Sequence, residues 1–121
     1  MVFGSGADIS MVGLDVTTQC VLTKEEESAF ANSTQPHARF LGRLISLWDH
    51  PVTLHDPLTV LSLFSDVVEF EPKRIEVGLH EEATRAYTME TPGNPNVAVA
   101  VRVDVGRAKA LFLERVLRPC A

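Results

Sequence analysis

The amino-acid sequence predicts one α/β domain with an antiparallel set of strands in its C-terminal half. Three observations carry that expectation. They are an almost unbroken apolar run at residues 9–17, stretches with the 3.6-residue apolar period of a helix, and a β-branched run at residues 97–103. With 121 residues the chain has the size of one ordinary domain, so a single domain over 1–121 is expected. Hydrophobic residues at 45% and charged residues at 22% are the balance of a folded protein, not of a disordered tail or a low-complexity linker.

The first element is the run Ile9-Ser10-Met11-Val12-Gly13-Leu14-Asp15-Val16-Thr17. It is mostly apolar without clean alternation, the pattern of a strand buried on both faces of a parallel sheet. No strand or helix precedes it to cover it, so it leaves backbone and apolar side chains at a sheet edge. Thr23 and Glu26 have capping-box spacing, Thr23 capping and Glu26 reaching back, so a short helix follows to Ala31. Asn32-Ser33-Thr34-Gln35-Pro36 is a loop by composition. Leu41, Leu44, Ile45 and Trp48 recur at i, i+3, i+4 and i+7, which gives a helix over residues 37–48 with that face inward. Asp49-His50-Pro51 ends it, because the residue before a proline is pushed out of the helical region.

Asp56-Pro57 predicts the next helix start, with Asp56 as N-cap and the proline at the first helical position. Leu58, Leu61, Phe64 and Val68 would pack inward, and Pro72 closes the region. Residues 74–79 and 83–89 read as two strands joined by the turn His80-Glu81-Glu82, and Thr91-Pro92-Gly93-Asn94-Pro95 is a loop. Val97-Ala98-Val99-Ala100-Val101-Arg102-Val103 is the strongest strand in the chain. A last helix over residues 107–117 turns Ala108, Leu111, Phe112 and Val116 toward the core, and Pro119 follows its end.

Composition narrows the function classes. A formal charge of −5 with no basic stripe argues against a nucleic-acid partner. No stretch approaches about 18 consecutive apolar residues, so no membrane span is expected. Two cysteines, Cys20 and Cys120, make no disulfide framework, and the first eight residues carry no secretory pattern; a reduced, cytoplasmic setting is the expectation.

His55 and Asp56 are the informative pair. They sit together at a helix start, where negative charge is favoured, and Asp56 can cap with one oxygen while offering the other to a metal. The plain alternative is a cap beside a packed histidine. His50 lies five residues before His55, a spacing that aligns them on neither helix nor strand, and His37 and His80 read as solvated. Neither cysteine has a CxxC partner, and no GxSxG elbow is present. Asp15-Val16-Thr17-Thr18-Gln19 lies at the carboxyl end of the first strand, where ligands gather in open α/β sheets, and the Thr17 carbonyl there suits a hard cation. Its plain alternative is ordinary turn chemistry ending a strand.

The segments Ile9-Ser10-Met11-Val12-Gly13-Leu14-Asp15-Val16-Thr17-Thr18-Gln19, Leu54-His55-Asp56-Pro57, Arg74-Ile75-Glu76-Val77 and Thr84-Arg85-Ala86-Tyr87-Thr88, with the closing Asn96-Val97-Ala98-Val99-Ala100-Val101-Arg102-Val103-Asp104, occur in this order. Together they resemble the C-terminal part of the inosine-uridine-preferring nucleoside hydrolases, over residues 2–117. The resemblance implies an open sheet with flanking helices and a calcium-dependent N-ribohydrolase. Such an enzyme cleaves a purine or pyrimidine ribonucleoside to base and ribose, in nucleoside salvage. It also implies that the Thr17 carbonyl and the Asp56 carboxylate are calcium ligands and that His55 protonates the leaving base as general acid. The glycosidic bond breaks through an oxocarbenium-like state, so such a site must stabilise a cationic sugar, activate water and neutralise the departing base.

The chain departs from the family pattern in several places. No DxDxxxDD-like cluster and no asparagine- and glutamate-bearing ribose segment is found in it. The region before His55 is short and lacks the tyrosines that many members place there, leaving Trp48 as its aromatic. Ala86 stands where a glycine is common, and Thr59 where an alanine is common. The expectation is therefore a C-terminal fragment, inactive alone and self-associating as a homo-oligomer through its uncovered strand. The rival readings are a non-catalytic oligomerisation module and an unrelated metal-binding domain.

Overall fold

The computed structural model describes residues 2–80 and 82–119. Cys120 and the middle of the expected turn, Glu81, lie outside the described residues. The strongest predicted strand, β5 (Val97–Val103), is the centre of a three-stranded sheet ordered β1-β5-β2. β1 (Ser10–Met11) runs parallel to it, with Ser10 opposite Ala98 and Met11 opposite Val99. β2 (Val68–Lys73) runs antiparallel, from Val68 opposite Val103 to Lys73 opposite Val97, with a register shift between Glu69 and Phe70. Pro72 is tolerated because β2 is an edge strand, where a missing N–H leaves no ladder bond unmade on the open side.

Among the described residues five α-helices accompany the sheet: α1 (Leu14–Thr17), α2 (Lys24–Ala31), α3 (Pro36–Leu47), α4 (His55–Leu61) and α5 (Val105–Leu117). The capping box forms as expected: the Glu26 N–H donates to Thr23 Oγ1 at 3.2 Å and the Thr23 N–H to Glu26 Oε2 at 2.7 Å. α5 begins at an N-cap, Asp104, whose carboxylate accepts the Arg107 N–H at 3.0 Å. Val16, Cys20, Leu22, Phe30, Ala38, Leu54, Leu58, Leu61, Val67, Val68, Ala100 and Ala108 form the buried core, with Leu111, Phe112 and Val116 packed against it. Each large apolar side chain so removed from water contributes about 1.5–3 kcal/mol. Phe30 meets Phe112 at a centroid distance of 6.0 Å and a tilt of 53°, joining α2 to α5. Lys109 of α5 strengthens that join by donating to the Val21 carbonyl at 3.1 Å and to Glu26 Oε2 at 2.8 Å.

A separate hairpin pairs β3 (Ile75–Val77) with β4 (Thr88–Glu90). Asn96 ties it to the body of the fold. Its Oδ1 accepts the Ile75 N–H at 2.8 Å, and its Nδ2 donates to the carbonyls of Ile75 and Phe3. The connection between β3 and β4 holds a 3-10 turn, Glu82–Thr84, and Ala86 at φ +69°, a left-handed conformation that costs a residue with a Cβ.

Five expectations are corrected. The run at 9–17 is not one buried strand. Only Ser10–Met11 pairs, and at a sheet edge; after extended Gly13 the chain winds into α1, with the Thr17 N–H reaching the Gly13 carbonyl at 3.1 Å. Asp56 is not the N-cap of α4. The helix starts two residues earlier, at His55 and not at Pro57, with Leu54 as N-cap held by its N–H bond to the Cys20 carbonyl, and Asp56 sits exposed in the first turn without a capping hydrogen bond. Phe64 does not pack inward: it is 54% exposed, with the Arg115 guanidinium 5.4 Å from its ring centre, whereas Val68 is buried as expected, from β2. The hairpin strands are shorter than residues 74–79 and 83–89, the 3-10 turn taking up the difference. The face of α3 expected inward is half uncovered: Ala38 and Gly42 are its buried residues, while Leu44 is 49% and Trp48 62% exposed.

Candidate functional site

A short two-sided strap builds the site. Residues 20–22 lie antiparallel to residues 52–54, with Val21 opposite Thr53. The Leu22 N–H donates to the Val52 carbonyl and the Leu54 N–H to the Cys20 carbonyl, both at 2.9 Å. α1 ends just before one side of the strap and α4 begins just after the other. That arrangement brings Thr17 and His55, 38 residues apart, into contact: Thr17 Oγ1 lies 2.8 Å from His55 Nδ1. Cys20 is fully buried in this strap. Burial pushes its thiol above the ordinary cysteine range, partly offset by the Lys109 charge, so it packs as a small hydrophobe and not as a nucleophile.

Thr17 is the single buried polar residue among the described residues, at 3% exposure. Its carbonyl accepts the Cys20 N–H at 3.0 Å, which occupies one of its two lone pairs and leaves the other. What faces His55 is the hydroxyl, a contact that reading the sequence for carbonyl ligands missed. The structure thus brings Thr17 and His55 together, and Asp56 follows His55 on α4 with its side chain exposed. Asp15 is likewise exposed. Among the described residues no group of three or more His, Cys, Asp and Glu is placed to hold a metal ion. A tight calcium site takes about six to eight oxygens, so the residues present do not by themselves fit that ion.

His55 opens onto a cleft of about 490 Å³ lined by Leu44, Ile45, Trp48, His50, Pro51, Val52 and Thr53. The uncovered half of α3 is its wall. Trp48 stands at the rim with its ring edge-on to His50, centroids 5.7 Å apart at 78°. An apolar cleft with one indole face and two imidazoles, His50 and His55, suits a flat, weakly polar heterocycle with a ring atom that accepts a hydrogen bond. The sequence signal for this wall is the apolar helical face of Leu41, Leu44, Ile45 and Trp48, of which Leu44 and Trp48 stay exposed.

The family model for the inosine-uridine preferring nucleoside hydrolases matches residues 1–110. The chain belongs to the inosine-uridine preferring nucleoside hydrolase family. Among curated relatives, the probable uridine nucleosidase 1 of Oryza sativa subsp. japonica is 30% identical over 140 aligned positions, covering 98% of this chain and 43% of that protein. The probable uridine nucleosidase 2 of Arabidopsis thaliana is 29% identical over 97% of this chain. Among solved structures, a plant nucleoside hydrolase, the PpNRh1 enzyme, superposes with a TM-score of 0.82 at 26% identity, over 98% of this chain and 44% of that one. A purine-preferring ribonucleoside hydrolase from Gardnerella vaginalis gives a TM-score of 0.79 at 27% identity, over 95% and 41%. The α/β architecture is therefore that of a nucleoside hydrolase, and the chain spans about 43% of the length of the curated relatives it matches. No helix among the described residues is long and apolar enough to cross a membrane.

Proposed function

We propose that this chain supplies the leaving-group side of a nucleoside N-ribohydrolase site, in which His55 donates a proton to the departing base. The observation that carries the reading is the placement of His55: its Nδ1 is held by Thr17, and its ring borders an apolar cleft walled by Trp48. A base leaving with the glycosidic electron pair is a poor leaving group until a ring nitrogen or oxygen is protonated, and an imidazole at the mouth of its pocket meets that need. The Trp48 face and the Leu44 and Ile45 side chains bind the flat base and keep water from it. A ribonucleoside is the substrate class, in salvage of free bases, and the cytoplasm is the proposed location.

Calcium enters the same proposal through Asp56, this segment's carboxylate contribution, with the remaining lone pair of the Thr17 carbonyl as the other oxygen. In the intact site the ion would lower the pKa of the attacking water. The 121-residue chain alone is expected to show no measurable hydrolysis. Joined to the part of the rice relative that it does not span, it is expected to release uracil or hypoxanthine. There, His55→Ala slows cleavage about 10²–10⁴-fold, the usual worth of a general acid. Robust hydrolysis by the chain alone, or a fully active His55→Ala fusion, would overturn the reading. An oligomerisation role is favoured by a different observation: Leu47 at 82% and Leu63 at 79% exposure leave apolar surface for a second copy.

A further inference from the structure

From the contact between α1 and α4 we infer that Thr17 is a positioning residue: its buried hydroxyl donates to His55 Nδ1, so that the neutral ring turns an Nε2–H, and not a lone pair, toward the cleft. The direction of that hydrogen bond follows from what each partner lacks. A threonine in a helix commonly returns its hydroxyl to a carbonyl one turn back, and Thr18 does so, donating to the Leu14 carbonyl at 2.6 Å. Thr17, its neighbour, does not. Its Oγ1 has His55 Nδ1 as its partner among the described residues, at 2.8 Å, and the residue is almost fully removed from water. A hydroxyl can do without a second donor to its oxygen, but a buried O–H without an acceptor carries the full desolvation cost. The acceptor in reach is Nδ1. With Nδ1 accepting, the neutral imidazole must carry its proton on Nε2.

The surrounding backbone holds the geometry. The Thr17 N–H is bonded to the Gly13 carbonyl and the Thr17 carbonyl to the Cys20 N–H, while the His55 N–H is bonded to the Thr53 carbonyl at 3.0 Å. Both residues are thus fixed by the strap, and the ring has one anchored edge and one open edge. Among the described residues Nε2 has no hydrogen-bond partner. It is the atom left to meet a ligand. A ring whose Nδ1 and Nε2 could exchange roles would present an acceptor there part of the time, and an acceptor repels the lone pair of a departing base. The catalytic meaning of this assignment rests on the proposed role of His55; the hydrogen bond itself does not. The neutral ring aims its Nε2–H at the base as a hydrogen-bond donor, and transfer of a full proton starts from the imidazolium, whose Nδ1–H donates to the Thr17 oxygen.

The test is the imidazole 15N spectrum of the 121-residue chain at about pH 9, well above the ordinary histidine range near 6.5. In the wild type the His55 proton is expected on Nε2, with Nδ1 and Nε2 resonances further apart than those of His80, which is exposed. Thr17→Ser keeps the hydroxyl and should keep that spacing. Thr17→Val keeps the shape without the hydroxyl and should collapse the spacing to that of His80, with folding checked by the amide spectrum. A proton found on Nδ1, a wild-type spacing equal to that of His80, or a spacing that Thr17→Val leaves unchanged would each overturn the inference. The wild-type spectrum decides the tautomer even where a variant does not fold. An active His55→Ala fusion beside a locked Nε2–H tautomer would remove the catalytic role and leave the hydrogen bond standing.

Discussion

Gly42 lies where α3 crosses α2, and adding one methyl group there should cost more than the helix gains from it. A Cβ built on Gly42 would sit 2.7 Å from the Ala31 nitrogen, 2.9 Å from the Ala31 Cα and 3.0 Å from the Phe30 carbonyl carbon. All three are backbone atoms, so no side-chain rotation relieves the contact, and α2 must withdraw. Withdrawal pulls Phe30, which is fully buried, from its packing against Phe112. Overpacking of this kind costs about 1–3 kcal/mol, and the upper half of that range applies when the obstacle is backbone. Alanine in place of glycine inside a helix returns about 1 kcal/mol. Gly42→Ala is therefore expected to destabilise by about 1–2 kcal/mol, which lowers the melting temperature by several degrees for a chain of this size. Gly106→Ala is the control. The nearest atom to a Cβ at that position is Asp104 Oδ1 at 3.8 Å, so the same change in the first turn of α5 should stabilise by about 0.4–1 kcal/mol. Thermal melts by circular dichroism read both. A Gly42→Ala chain melting at or above the wild type would refute the packing argument.

Ala86→Gly removes the Cβ from a residue at φ +69° and should raise stability by about 0.5–1 kcal/mol, seen as a higher urea midpoint at unchanged slope; an unchanged midpoint counts against strain at that position. Burial alone would lift the Glu26 carboxyl, but the hydrogen bonds from Lys109 and Thr23 and the Lys109 charge outweigh it and hold the group below its ordinary range. A lowered folded pKa contributes stability above the unfolded value and loses it as pH falls through the folded one. The melting-temperature gap between wild type and Glu26→Gln should therefore be widest at neutral pH and close below about pH 4.3, and a gap constant to about pH 3 would contradict it. The chain should also self-associate, since Leu47, Leu63 and Trp48 are exposed and β1 ends the sheet with one edge unpaired. Sedimentation equilibrium showing only monomer at high concentration would exclude this.

Where a feature depends on neighbours in sequence, it was legible before the fold was known. The alternating valines and alanines of β5, the Thr23–Glu26 capping box and the core residues Leu58, Leu61 and Ala108 are of this kind, and all appear as expected. The misreadings concern contacts made across long stretches of chain. α1 is four residues of helix stabilised by the strap to residues 52–54, and no local pattern announces a partner more than thirty residues away. Asp56-Pro57 carries a strong local signal for a helix start, but the Leu54 N–H bond to Cys20 sets the boundary two residues earlier. His55 was picked out by its neighbours in sequence, whereas the hydroxyl of Thr17 could be found only once the strap had folded.

The strap at residues 20–22 and 52–54 also separates two tasks. The chain between its two sides, α2 and α3, departs from the strap and returns to it, packing on α5 through Phe30 and Glu26 on the way. The wall that would meet a base, with Leu44, Ile45 and Trp48, rides on this excursion, while Thr17 and His55 stand on the near side of the hydrogen-bonded pair. The exposed wall residues of α3 can change without altering the register that holds the imidazole, provided Phe30, Ala38 and Gly42 keep their packing. A graft confined to the exposed wall, Leu44, Ile45 and Trp48, would therefore change the face offered to a ligand while leaving the Thr17–His55 contact in place.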